Sequence, residues 1–426
     1  MALVGELELG SFDYTDPELT GERFHTAMRE LAAEGWLAAG PYGYVVLDRE
    51  AGEFFLRTRS AIFPGMKIAE LFDVSEGPLW EEMRRNILHV NGADHTRLRS
   101  LVNPALTARS VERWRPAMRT FLDGLFVPVE TAGRCEFVGA FAKPYPSQMI
   151  ATVMGAPLED APRLHHWSNW IQRQFDAASM TNERPAIEQA VAEFYEYARA
   201  LLAARREDPG DDLISTLLAV EEQGDKLSEE ECVNLVLNVL IGGVDTTQSQ
   251  LAHAVRLLGE RPEQWAALVA DPSLAGAAVE EALRYEPITP FTARITIEEL
   301  TYRDVTFPKD TMVMVCAFTG NRDLPDGDGV GHGGRGGNGK SAGEEAQARV
   351  SAESFDITLK RPRARALTFG AGVHFCLGAN LARLELEEAL GFLARKMPRL
   401  ELDGEPVFES ILGIYGLAEL PIRFGT

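Results

Sequence analysis

Phe369-Gly370-Ala371-Gly372-Val373-His374-Phe375-Cys376-Leu377-Gly378 is the stretch that decides the fold. Three glycines bracket a cysteine, and a helical pattern follows from Ala379 to about Leu393. A thiolate that ligates iron needs backbone N–H groups aimed at its sulfur, because these tune its charge and potential. Close backbone approach and unusual φ angles call for Gly, which Gly370, Gly372 and Gly378 supply. A helix starting at the sulfur adds a dipole that favours an anion there. Two plainer readings stand beside this one. Cys376 could be an inert buried thiol, as Cys135, Cys232 and Cys316 are taken to be. His374 and Cys376 could be half of a zinc site, but no second pair lies at zinc spacing.

Upstream, His95 and Arg99 in His95-Thr96-Arg97-Leu98-Arg99 are four apart and share one helix face. Two cationic donors on one face suit a carboxylate, although alone they read as a solvated face. Arg97 points off that face and reads as solvated. Ser228-x-x-Glu231 is a capping box that opens an apolar-rich helix running to Leu258, ended by Gly259 and Pro262. Unbroken, that helix would be roughly 45 Å long. Gly242 and Gly243 sit in its middle, at about 1 kcal/mol each against Ala. One reason is an opening of the backbone that admits a ligand or water beside Asp245 and Thr246. The other is a plain kink, with Thr246 bonding back to its own helix. Glu281 and Arg284, three apart, can pair on a second helix near residues 273–285.

Together these segments resemble the cytochromes P450. The Cys376 loop is similar to the family's F-G-x-G-x-H-x-C-x-G haem-binding loop at every fixed position. Glu281-Ala282-Leu283-Arg284 resembles its E-x-x-R helix, Gly242-Gly243-Val244-Asp245-Thr246 its oxygen-activating motif, and His95 to Arg99 the H-T-R-L-R of bacterial members. Order and separation match across roughly residues 40–426. The resemblance implies haem b (iron protoporphyrin IX), with Cys376 as the metal ligand. It implies His95, Arg99, Arg294 and His374 as propionate contacts, and Gly243, Phe369 and Gly378 as further haem-binding positions. Thr246 would steady dioxygen and its protons, and Asp245 would feed protons from solvent. Glu281 and Arg284 would be a structural pair under the cysteine loop. A third Arg normally completes that pair, but here Ser354 occupies the place. Substrate-pocket positions carried over are Leu88, Leu237, Ile241, Ile288, Phe291 and Ile414, within 80–90, 237–241, 288–292 and 414–415. These are mostly apolar, so an apolar small organic substrate is expected.

The implied fold is mainly α with minor β sheets, one domain over 1–426, with a long central helix across the haem. Residues 42–47 read as a strand, 160–206 as two amphipathic helices, and Leu420 to Phe424 as the end of a terminal hairpin. The implied reaction is hydroxylation by a monooxygenase fed by a ferredoxin and its ferredoxin reductase. Lys360, Arg361, Arg363 and Arg365 would be a docking patch for that acidic partner, or simply a solvated loop.

Composition bounds the alternatives. Lys and Arg number 42 against 64 Asp and Glu, a net charge of −22. That field disfavours nucleic acid and anionic membrane surfaces. No run of about 18 apolar residues exists, so no membrane span is expected. The start, MALVGELELG, does not read as a secretory signal, so a cytoplasmic protein is expected. Residues 326–343, rich in Gly, read as a surface insertion. Within it Gly334 to Ser341 matches G-x-x-x-x-G-K-S, the pattern of a P-loop NTPase, but no strand can precede it. A nearer alternative is a haem-thiolate peroxygenase or other non-monooxygenase haem protein. Such relatives commonly alter the acid and alcohol, and Asp245-Thr246 is intact.

Overall fold

The computed structural model describes residues 1–221, 227–323, 353–359 and 365–425. The insertion at 326–343, its P-loop-like match, and Lys360, Arg361 and Arg363 lie outside the described residues. Helices dominate, and their apolar faces form one large core around Glu229–Gly243 and Asp245–Gly259. Two smaller apolar clusters lie against the sheets. A five-stranded sheet runs in the order Leu37–Gly40, Gly43–Val46, Met312–Cys316, Phe291–Thr296, Ala61–Ile62. Its second and third strands are parallel, and its other pairs are antiparallel. No helix among the described residues is long and apolar enough to cross a membrane.

The central helix is capped as its sequence predicts. Ser228 Oγ accepts from Glu231 N at 3.2 Å, and Ser228 N donates to Glu231 Oε2 at 2.9 Å. It is not one continuous helix, however. It breaks at Val244, where ψ is −74°, into Glu229–Gly243 and Asp245–Gly259. Side chains take two carbonyls at the break. Gln172 Nε2 donates to Ile241 O at 2.9 Å, and Thr246 Oγ1 donates to Gly242 O at 2.6 Å. Donors inserted into the carbonyl ladder are a recognised cause of a kink.

The two glycines at the break differ. A Cβ on Gly242 would meet nothing within 4 Å, whereas one on Gly243 would sit 2.3 Å from Ile150 Cδ1. Gly243 therefore has a packing reason that its sequence context does not reveal: the helix Pro144–Met154 presses on it. Gly243→Ala should lower stability by about 1–3 kcal/mol through overpacking. Gly242→Ala should be neutral or slightly stabilising from helix propensity alone. Denaturant midpoints of the two variants test this, and equal midpoints would contradict it. Ile150→Ala in the Gly243→Ala background should recover part of the loss.

Three further expectations are corrected. The last strand, Pro421–Gly425, pairs with Arg399–Leu402 and Arg134–Glu136, not with an adjacent hairpin partner. Leu420 and Ile422 are fully buried, so burial against a distant strand decides the pairing. Residues 160–206 form the helices Ala161–Gln172 and Arg184–Glu207 with a short helix, Ala177–Asn182, between them. Arg97 is not merely solvated: it makes an ion pair with Glu231, tying the middle of the helix Gly92–Val102 to the start of the central helix.

Candidate haem site

Gly370 and Gly372 carry φ of +68° and +72°, and a Cβ on Gly372 would lie 2.6 Å from Leu56 O. Only glycine satisfies both demands at position 372. Gly378 has an ordinary φ of −82°, so backbone conformation does not require glycine there. Nothing lies within 4 Å of the Cβ it would carry. The loop closes when Cys376 N donates to Phe369 O at 2.9 Å. The helix Ala379–Lys396 then starts beside the sulfur. Burial raises the Cys376 thiol pKa, while the N–H groups of Gly378 and Ala379 and the charges of Arg99 and Arg383 pull it down. Loop, helix start and Arg thus favour the thiolate against desolvation. Cys135 and Cys232 have no such setting, and burial pushes both up to about 12. Cys316 is also raised by burial against the N–H groups of Thr319 and Phe318 and the charge of Arg322, but it packs in an apolar cluster with Met28 and Phe318.

Cys376 lines a cavity of about 460 Å³. His95, Arg99, Arg294 and His374 line it as well, brought by a helix, a central strand and the loop. The His95 and His374 rings lie 4.3 Å apart, and His95 Nε2 and His374 Nδ1 have no hydrogen-bond partner. Arg99 donates to the backbone oxygen of Phe375, and Arg294 Nη1 to that of Ala293 at 2.8 Å. No carboxylate pairs with either Arg among the described residues. Burial lowers Arg294 to about 10 and, with its cationic neighbours, His374 to about 3. Two guanidiniums without a counter-charge, flanked by the unpartnered ring nitrogens of His95 and His374, call for an anion. The propionates of a haem above Cys376 fit it, so these residues pass the test of suiting that cofactor.

Phe369, Gly243 and Gly378 also line the cavity, as do Leu88, Ile241, Ile288, Phe291 and Ile414. Leu237 does not: it is fully buried in the helical core, and Leu235, Asn238 and Val239 face the cavity instead. A one-residue error in helix phase, about 100°, explains the difference. Thr246 lines the cavity, but Asp245 turns away from it. Ser168 Oγ donates to Asp245 Oδ2 at 2.5 Å, and Asn169 Nδ2 to Oδ1 at 3.4 Å. Burial raises the Asp245 pKa, opposed by Ser168, His165 and Asn169. Its nearest neighbours are therefore polar side chains of the helix Ala161–Gln172, and it needs a moving contact to reach solvent.

Glu281 and Arg284 form a buried pair with two bonds of 2.8 Å. Arg284 Nη2 also donates to Ser354 O at 2.7 Å, and Glu281 Oε1 accepts from Asp356 N at 2.9 Å. The backbone of 354–356 thus meets the pair where a third Arg was expected. Sequence reading missed Glu385, which lines the cavity, has both carboxyl oxygens buried without a partner, and has its pKa raised well above the ordinary value by burial. Its position in the helical stripe gave no sign of that. Arg365, the described member of the basic run, sits over the Phe375 ring at 5.5 Å.

Comparison with known proteins agrees with this geometry. The cytochrome P450 family model matches residues 24–273 and 270–324. Luteothin monooxygenase of Streptomyces thioluteus is 32% identical over 423 residues, 98% of this chain and 97% of that protein. Vitamin D(3) 25-hydroxylase of Pseudonocardia autotrophica is 34% identical over 339 residues, 78% of this chain and 76% of that one. The crystal structure of CalO2 superposes with a TM-score of 0.86 at 28% identity, covering 98% of this chain and 99% of that one. A thiol loop, an anion-seeking cradle and whole-length likeness converge: the chain belongs to the cytochrome P450 family and is a haem-thiolate monooxygenase that uses haem b.

Proposed function

We propose that this enzyme, one domain over 1–426, hydroxylates an apolar small organic substrate in the cytoplasm, taking electrons from a ferredoxin and its reductase. The observation that carries this reading is the single cavity in which Cys376 and the cationic cradle meet Thr246 and an apolar wall. In it Cys376 is the metal ligand, and His95, Arg99, Arg294 and His374 neutralise the propionates. When bound, haem b supplies the one-electron and O2 chemistry that side chains lack. The rest is assigned to this chain's own groups.

Thr246 Oγ1 holds its proton toward Gly242 O, in reach of the cavity. Rotation about its side chain exchanges that bond for one to a bound ligand, and this is the role assigned to Thr246. Asp245 would resupply the proton from Oδ2, which Ser168 anchors. Leu88, Ile241, Ile288, Phe291 and Ile414 exclude water and orient the substrate. A relative named for hydroxylating vitamin D(3) supports an apolar ligand. Arg365 over Phe375, with Val373 68% exposed, supports electron entry on the thiolate side.

Two measurements test the reading. Turnover under ¹⁸O2 with ferredoxin and reductase should place one labelled atom in the product. Full turnover on added peroxide, with none on reductant, would mark a peroxygenase. Thr246→Ala should bind haem and consume reductant, yet form roughly a hundredfold less product and release more peroxide, the low end of a general-acid contribution. Coupling equal to the wild type would reduce Thr246 to a kink residue.

A further inference from the structure

Three rungs of the hydrogen-bond ladder are missing where the central helix breaks. Asp245 N does not bond to Ile241 O, nor Thr246 N to Gly242 O, nor Thr247 N to Gly243 O. On either side the ladder is intact: Val244 N donates to Leu240 O at 3.2 Å, and Gln248 N to Val244 O at 3.0 Å. The gap opens onto the cavity, since Gly242, Gly243, Thr246 and Thr247 all line it. The bond from Thr246 Oγ1 to Gly242 O does not account for the gap. A helical Thr commonly makes that bond to the carbonyl four residues back with the ladder still in place.

Ile241 O is held from outside the helix. Gln172 Nε2 donates to it at 2.9 Å, on the carbonyl that Asp245 N would use in an unbroken helix. A carbonyl only accepts, so the nitrogen of the amide and not its oxygen must face Ile241. No other side chain from outside the central helix bonds a carbonyl of residues 240–244 among the described residues. Gln172 ends the helix Ala161–Gln172, and one turn earlier Ser168 and Asn169 hold the Asp245 carboxyl. That helix therefore grips the break at two points, the side chain of Asp245 and the backbone of Ile241. Gln172 is only half-buried and itself lines the cavity.

We propose that Gln172 is a positioning residue for the reaction: its amide props the central helix open, so that the N–H groups of Thr246 and Thr247 and the Thr246 hydroxyl stay available to a ligand in the cavity. This rests on the monooxygenase reading of the cavity. Backbone groups without partners seek them, so removing the amide leaves Ile241 O to Asp245 N. Each rung that re-forms draws Thr246 into regular helix and away from the ligand.

The test compares the wild-type holoenzyme with two variants at about pH 8, well above the ordinary glutamate pKa. Gln172→Glu keeps size and polarity but replaces the donor with an acceptor, and Gln172→Met keeps the length and removes both. Both variants should load haem as the wild type does. Hydrogen exchange of peptides spanning 241–249 reads the break itself. The amides of Asp245, Thr246 and Thr247 should exchange about tenfold more slowly in both variants, the worth of one re-formed hydrogen bond. Carbon monoxide on the reduced haem probes the cavity side. Its C–O stretch should move to higher frequency in both variants, because donors that polarise it have withdrawn. The proposal is overturned if either variant exchanges over 245–247 as the wild type does, or if the C–O stretch stays in place. A wild-type holoprotein without the thiolate-haem CO band would instead overturn the reading beneath it, so the two failures are distinguishable.

Discussion

Replacing Cys376 with Ala is expected to abolish the red-shifted band that reduced thiolate haem gives with CO, and to cut haem retention severely. The sulfur is the anionic group toward which the loop is built: the N–H groups of Gly378 and Ala379 and the charges of Arg99 and Arg383 all favour its ionised form. None of the other three cysteines shares the cavity with the cationic cradle. Cys376→Ser should retain some haem, since an oxygen ligand can occupy the place, but without that band. Absorption of the reduced, CO-treated variants checks this. A band of wild-type position in the Ala variant would mean that another cysteine is the ligand.

Glu281→Ala should be the most destabilising single change away from the cavity. Glu281 and Arg284 are 4% and 5% exposed, and their two bonds are both 2.8 Å. Removing one partner of a buried pair leaves the other charge uncompensated, at about 3–5 kcal/mol. The loss spreads, because Glu281 also holds Asp356 N and Arg284 holds Ser354 O. Haem occupancy should therefore fall along with the denaturation midpoint. Arg284→Lys should lose most of the same stability, since a single ammonium cannot reproduce the fork that meets Glu281 and Ser354 together. A Glu281→Ala protein that melts like the wild type and loads haem fully would show that the backbone of 354–356 needs no such pair.

The parts of this molecule legible in its sequence are those where chemistry leaves no choice of residue. Gly372 must be glycine because its φ is positive and Leu56 O crowds it. His95 and Arg99 reach the cavity together because four residues make one turn. What escaped sequence reading depends on distant neighbours. Gly243 is explained by Ile150, ninety-odd positions away, and not by the opening of the helix alone. The terminal strand finds its partners at 134–136 and 399–402 through burial of Leu420 and Ile422. Within 237–241, all carried over as pocket wall, helix phase puts Asn238 and Ile241 in the cavity wall and Leu237 in the core. Ser354 looked like a lost partner, but its backbone oxygen takes the bond from Arg284.

The same dependence on neighbours sets the character of Asp245. Its sequence context implied a solvent-fed acid, whereas its carboxyl is enclosed by Ser168, Asn169 and the break in the central helix. Motion of the helix Ala161–Gln172, which supplies both partners, is what would connect it to water.

The central claim is a haem iron held by the sulfur of Cys376, and X-ray absorption at the iron edge of the purified holoprotein tests it most directly. The account predicts one sulfur scatterer in the first shell of the wild type, absent from Cys376→Ser. A first shell of nitrogen and oxygen alone in the wild type, or a sulfur that persists in the variant, would contradict it.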